Sequence, residues 1–95
     1  RLVILMNIDE IVRWVLSVDR RLLLMRTIRN SRVVKASEVA QLTDRSIQNI
    51  SRALKESEEL DLVRCITPEK HTWKKYMLTD LGHVVLRELE RFEMI

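Results

Sequence analysis

Residues Ser37–Lys55 read SEVAQLTDRSIQNISRALK. The stretch predicts a short helix, a tight turn and a longer helix with one apolar and one polar face. Val39 and Leu42 supply the apolar side of the first helix. Thr43-Asp44-Arg45 forms the turn. Ser46 is placed to cap the second helix, its hydroxyl accepting from the Asn49 backbone N–H. That helix runs from Ser46 to about Leu60, with Ile50, Ala53, Leu54 and Leu60 facing a core. At roughly 100° per residue from Ile50, Lys55 falls near 140°, Gln48 near 160° and Arg52 near 200°. These three share the face opposite the core, and Ser51 flanks them.

Upstream, Asn7-Ile8-Asp9-Glu10 has the form of a capping box. Ile8, Ile11, Val12, Val15 and Leu16 then recur at helical spacing. Trp14 lies off that stripe and is expected at the surface, as a rim residue or an interface anchor. Ser17 or Asp19 is placed to cap a second helix, about Asp19 to Arg29. Leu22, Leu23, Met25 and Ile28 form one side of it; Arg20, Arg21, Arg26 and Arg29 form the other. Arg32–Lys35 is a short extended piece, β-branched at its centre. Leu2–Met6 is an apolar arm.

Downstream, Glu56–Asp61 closes the long helix, with Asp61 at C′. Leu62–Thr67 predicts a strand, Pro68–Thr72 a polar turn and Trp73–Leu78 the returning strand of a hairpin. Thr79 or Asp80 caps a last helix, about Leu81 to Phe92, whose stripe is Leu81, Val85, Leu89 and Phe92. The expected fold is mainly α with a small β-hairpin, in a single domain spanning residues 1–95.

Composition agrees. The chain is 46% hydrophobic and 33% charged with one Gly and one Pro, which disfavours a turn-rich all-β fold. The net charge of +3 is mild, but its distribution is uneven. Nine Lys and Arg face two acids between Arg20 and Lys55, an excess of seven positive charges. Glu56–Asp61 then holds four acids and no cation. A basic segment beside an acidic one points to a face for polyanions. Cys65 is the only cysteine, which fits a reducing compartment. No segment approaches the ~18 apolar residues of a membrane span. Leu2–Met6 lacks a signal-peptide cleavage pattern. A cytoplasmic protein is expected.

Two stretches carry a family likeness: SEVAQLTDRSIQNISRALKESEELDLVR (Ser37–Arg64) and KYMLTDLGHVVL (Lys75–Leu86). The second is close to a Tyr-x-Leu-Thr-x-x-Gly signature. With Leu16–Asn30, they resemble the winged helix-turn-helix transcriptional regulators, and among them small archaeal and bacterial proteins related to the ArsR and MarR groups. The resemblance implies a recognition helix in the DNA major groove and a wing along a neighbouring phosphate strand. The family's recognition positions fall on Ser46, Ile47, Gln48, Asn49, Ser51, Arg52 and Lys55. Gln suits adenine N6/N7 and Arg suits guanine O6/N7, while Lys55 and Arg45 suit phosphates. Lys70, His71, Lys74 and Lys75 lie on or beside the wing. Strand alternation lets only one of Lys74 and Lys75 face DNA. The DNA-contacting candidates are therefore Arg45, Ser46, Gln48, Asn49, Ser51, Arg52, Lys55, Lys70, His71 and Lys74. Asp44 and Asp61 stand where relatives often have Gly, and Ser57 where a Leu often fills the core.

The expected function is a homodimeric, sequence-specific double-stranded DNA-binding transcriptional regulator. Dimerisation is expected through the terminal helices, whose apolar residues (Leu2, Val3, Ile4, Leu5, Val84, Val85, Leu89, Phe92 and Ile95) exceed what one small core needs. The alternative is a protein-interaction module that docks on a larger assembly, such as the transcription machinery, through Trp14 and the Leu2–Met6 arm. No cofactor is expected. Metal-sensing ArsR relatives carry paired cysteines; here Cys65, His71 and His83 are too scattered for a site. Neither a Gly-rich phosphate loop nor a Ser/His/Asp or Cys/His set stands out, so no enzyme is expected.

Overall fold

Asn7 opens the first helix through a reciprocal cap. Its Oδ1 accepts from the Glu10 N–H at 2.9 Å, and Glu10 Oε1 accepts from the Asn7 N–H at 3.1 Å. A computed structural model describes residues 6–95 of the chain. Leu2–Leu5 of the apolar arm lie outside the described residues; Met6 packs against the core. The order is α1 (Ile8–Leu16), α2 (Asp19–Asn30), β1 (Val34–Lys35), α3 (Ala36–Thr43), α4 (Ile47–Glu59), β2 (Val63–Cys65), β3 (Lys75–Leu78) and α5 (Asp80–Arg91). The molecule is mainly helical with one small antiparallel sheet.

Local chemistry sets most boundaries. Asp44, at φ 56°, takes the left-handed conformation that ends α3, and the Arg45 N–H donates to the Ala40 carbonyl at 3.0 Å. Asp61, at φ 62°, does the same after α4, where the Leu62 N–H donates to the Ser57 carbonyl at 2.8 Å. Asp tolerates this region better than most residues because its short polar side chain bonds locally. The start of α2 differs from expectation. Val18 stands at its N-cap without a side-chain bond, and Ser17 Oγ instead donates back to the Trp14 carbonyl at 2.7 Å.

The strands lie in the order β1-β3-β2, so the short extended piece before α3 joins the hairpin. Val34 pairs with Tyr76 and Lys35 with Lys75; Val63, Arg64 and Cys65 pair with Leu78, Met77 and Tyr76. Side chains alternate across a strand, so Val34, Val63, Tyr76 and Leu78 share the face toward the helices. Lys35, Lys75, Arg64 and Met77 share the other. The strands are shorter than the apolar runs suggest. Trp73 lies outside β3, at φ 55° and 77% exposed, and Ile66 is past the end of β2.

All five helices and the inner sheet face contribute to one core, with Ile11, Leu24, Met25, Ile50, Leu54, Leu62 and Leu89 among its fully buried side chains. Ser57 is buried with them. Two expected apolar positions point to solvent instead: Leu42 is 73% exposed at the end of α3, and Phe92 is 57% exposed just past α5. Periodicity assigns a face but not how far the opposing surface extends.

Helix α5 sits hard against the chain entering β2. Thr79 Oγ1 accepts from the Gly82 N–H at 3.0 Å, and the Thr79 N–H donates to the Leu62 carbonyl at 3.0 Å. A Cβ on Gly82 would overlap that same Leu62 carbonyl oxygen. The glycine of the Tyr-x-Leu-Thr-x-x-Gly stretch is therefore required by close backbone approach. Among the described residues, no helix is long and apolar enough to cross a membrane.

Candidate nucleic-acid interface

Helix α4 is held on one side, packed on a second and open on a third. Its first turn is capped as the sequence predicts, with the Asn49 N–H donating to Ser46 Oγ at 3.0 Å. Ile50, Ala53 and Leu54 are buried. Gln48, Arg52 and Lys55 are all exposed on the opposite face, and Ser46 and Ser51 are exposed beside them.

Asn49 does not join that face. At 100° per residue it lies about 260° round from Ile50, next to Glu56 at about 240°. It is half-buried, and its Oδ1 is buried without a hydrogen-bond partner. Its side chain belongs to the flank that α4 turns toward α2.

That flank is fixed by ions. Arg20 donates to Glu56 in bidentate fashion, Nε to Oε1 at 3.0 Å and Nη2 to Oε2 at 2.6 Å. Arg21 reaches the same carboxylate, Nε to Oε1 at 3.3 Å, and also donates from Nη1 to the Trp14 carbonyl at 2.9 Å. Its guanidinium lies 3.8 Å from the Trp14 ring centroid. The hydrogen bond from Arg20 holds the Glu56 carboxyl below the usual Glu range, against the opposing effect of burial, and Arg21 adds to the shift. The same bond raises the Arg20 pKa. Trp14 is thus a half-buried residue under Arg21, joining α1 to α2 and α4, rather than an exposed anchor. Nothing in the local spacing announces this network, because Glu56 lies 36 residues from Arg20.

The basic segment is less free than its composition suggests. Of its nine cations, Arg20 and Arg21 pair with Glu56, Arg45 with Asp19 at 2.7 Å and Arg29 with Glu90 at 4.0 Å. Arg45 already commits part of its charge and one N–H to Asp19, at 2.7 Å. Arg52 and Lys55 take part in no ion pair among the described residues.

On the other flank, a cleft of about 350 Å³ separates α4 from the loop that precedes β3. Ile47, Ser51 and Leu54 of α4 line it, facing His71, Thr72, Trp73 and Lys74 of the loop, with Tyr76, Lys35, Ala36 and Ser37 completing the walls. Burial pushes the Tyr76 phenol above its usual pKa, with smaller contributions from Cys65 and Glu58. Lys74 lies just before β3 and lines the cleft, and Lys75, the first residue of β3, lies on the outer sheet face. Lys70 is exposed on the same loop, its N–H donating to the Thr67 carbonyl at 3.1 Å. Trp73 is not among the DNA-contacting candidates that the sequence marks. Its signal was a large aromatic set between a polar turn and two lysines.

The geometry therefore brings Gln48, Ser51, Arg52 and Lys55 onto one exposed surface, with Ser46 exposed at the N-cap that starts the helix and His71 and Lys74 across the cleft. It ties Arg45 to Asp19 and turns Asn49 away. Among the described residues, no group of three or more His, Cys, Asp or Glu could hold a metal ion. Comparison with protein-family models, characterised proteins and solved structures gives no significant match to this chain.

Proposed function

We propose that the chain is a winged helix-turn-helix domain that binds duplex DNA sequence-specifically and regulates transcription as a cytoplasmic homodimer. The observation that carries this reading is the outer face of α4. Gln48, Arg52 and Lys55 stand together in solvent on a helix whose rear flank is clamped by Arg20 and Arg21. A side chain reads a base edge well only if its backbone is held still. In this reading α4 enters the major groove and the β2–β3 hairpin is the wing. Gln48 and Arg52 read base edges, Lys55 meets phosphate, and Lys70, His71 and Lys74 follow the backbone. Exposed Phe92 and Met94 beyond α5 are the natural dimer contacts, and half-sites lie about 34 Å apart.

The test is fluorescence anisotropy with duplexes selected from a random pool, at several salt concentrations. Arg52→Ala weakens the selected site by ~1–3 kcal/mol and relaxes its sequence preference, and Lys55→Ala lowers the salt slope by about 1. The absence of salt-dependent binding defeats the reading. Light scattering that gives an 11.3 kDa particle at micromolar concentration defeats the dimer.

One observation favours a second reading, a protein-docking module of a larger assembly. Leu42, Phe92 and Met94 are exposed apolar side chains outside the α4 face. A monomer whose partner protects these residues, and leaves α4 free, decides for it.

A further inference from the structure

We infer that the cleft between α4 and the loop before β3 holds an unpaired nucleobase, so that the domain's DNA target carries single-stranded nucleotides next to duplex. The inference rests on α4 being the DNA-facing helix and names a second element of the same target.

Trp73 is the first reason. It is the most exposed large apolar residue of the described chain, at 77%, and no core contact explains its size. The loop holds it at φ 55°, a region in which a bulky side chain is an outlier. The strain presents the indole at the mouth of the cleft instead of folding it away. Ile47 is the second reason. It is 53% exposed on the opposite wall, at a helix position where a polar residue would be easier to solvate. The two lie on the α4 side and the loop side of the cleft, which Tyr76 also lines.

The remaining wall is polar and positive. Ser37, Ser51, Thr72 and Lys74 line it, Lys35 borders it while its side chain shares the outer sheet face with Lys75, and no acid among the described residues lines the cleft. An occupant that is flat, has hydrogen-bonding edges and carries negative charge beside it meets all of these conditions. A nucleobase on its phosphate strand is such an occupant: single strands are held by aromatic stacking beside a cationic track. The volume, about 350 Å³, lies at the small end of ligand sites and admits one base with its sugar rather than a folded peptide. The position agrees. Ser51 and Lys55 lie about 100° and 140° round α4 from Ile50, so the cleft opens beside the outward face and within reach of a strand leaving it.

Trp14 and Trp73 are the two tryptophans, and Trp14 is covered by Arg21. The experiment therefore uses tryptophan emission of the full chain carrying Trp14→Phe, titrated with a 12-nucleotide oligothymidylate, a blunt duplex and benzoate. Labelled-DNA anisotropy is run in parallel on the unmodified chain and on Trp73→Ala. Oligothymidylate is expected to quench Trp73 emission. Trp73→Ala weakens oligothymidylate by about 5- to 150-fold and leaves blunt-duplex affinity within about twofold. Circular dichroism confirms that the surface variant is folded. Three outcomes overturn the inference: no quenching at low salt, an equal loss on duplex and oligothymidylate, or quenching by benzoate alone. If the unmodified chain binds no duplex but oligothymidylate still quenches, the duplex reading falls and the cleft assignment stands.

Discussion

Gly82→Ala tests the packing that anchors the last helix. On intrinsic propensity alone, Ala in a helix is favoured over Gly by about 1 kcal/mol. The site reverses this preference. The added methyl would overlap the Leu62 carbonyl oxygen, approach the Leu62 carbonyl carbon to 3.1 Å and Leu78 Cδ2 to 2.9 Å. The Leu78 side chain can rotate aside. The Leu62 carbonyl cannot, because it is backbone at the entry to β2 and already accepts from the Thr79 N–H at 3.0 Å. Helix α5 must therefore lift by about an ångström, which loosens Val85 and Leu89 from the core and strains the Thr79 cap. Overpacking of this kind costs ~1–3 kcal/mol, and loss of a cap about 1 more. Net of propensity, the variant is about 1–3 kcal/mol less stable. For a domain of this size that lowers the melting temperature by about 5–20 °C. Thermal and urea denaturation followed by far-ultraviolet circular dichroism measure it. An unchanged or raised melting temperature refutes the close-approach argument.

Glu56→Gln removes the acceptor that Arg20 and Arg21 share and destabilises the fold by about 1–3 kcal/mol at neutral pH. Because the folded-state pKa of Glu56 lies below its unfolded value, its contribution is complete above about pH 4.3 and is lost as pH falls through the lowered pKa. The stability gap between wild type and variant must therefore close in acid, and a gap that ignores pH contradicts the ion pair. Asp61→Gly relieves a left-handed backbone and is expected to raise the urea midpoint, by the equivalent of about 0.5–1 kcal/mol. A fall in the midpoint would mean that the Asp61 side chain contributes more than its conformation costs. Ser46→Ala removes the cap of α4 and lowers stability by about 1 kcal/mol, read from the same denaturation curves. No change would show that the cap bond is replaced by water.

Features governed by nearest neighbours were legible before the structure. Asn7, Ser46 and Thr79 cap helices because their side chains reach N–H groups three residues away, and Asp44 and Asp61 end helices because they accept left-handed backbone. The face shared by Gln48, Arg52 and Lys55 followed from helical angle alone. Asn49 came with the family positions, although its angle already turned it toward α2. What periodicity could not reveal was who stands opposite. Leu42 and Phe92 fit their stripes, yet the surface that would cover them ends short. Arg20 and Arg21 count toward the charge excess of the basic segment, yet both pair with Glu56, so that excess overstates what a phosphate would meet.

The outer face of the sheet constrains how two copies of this chain can meet. Lys35 and Lys75 oppose each other in register and Arg64 lies on the same face, so a sheet-to-sheet approach sets cation against cation. Edge-to-edge extension fares no better, since the outer strands β1 and β2 are two and three residues long. Short edges that carry a cation, Lys35 on β1 and Arg64 on β2, resist templating by a second chain. Any meeting of two folded copies is thereby steered away from the sheet and toward the helical side of the molecule.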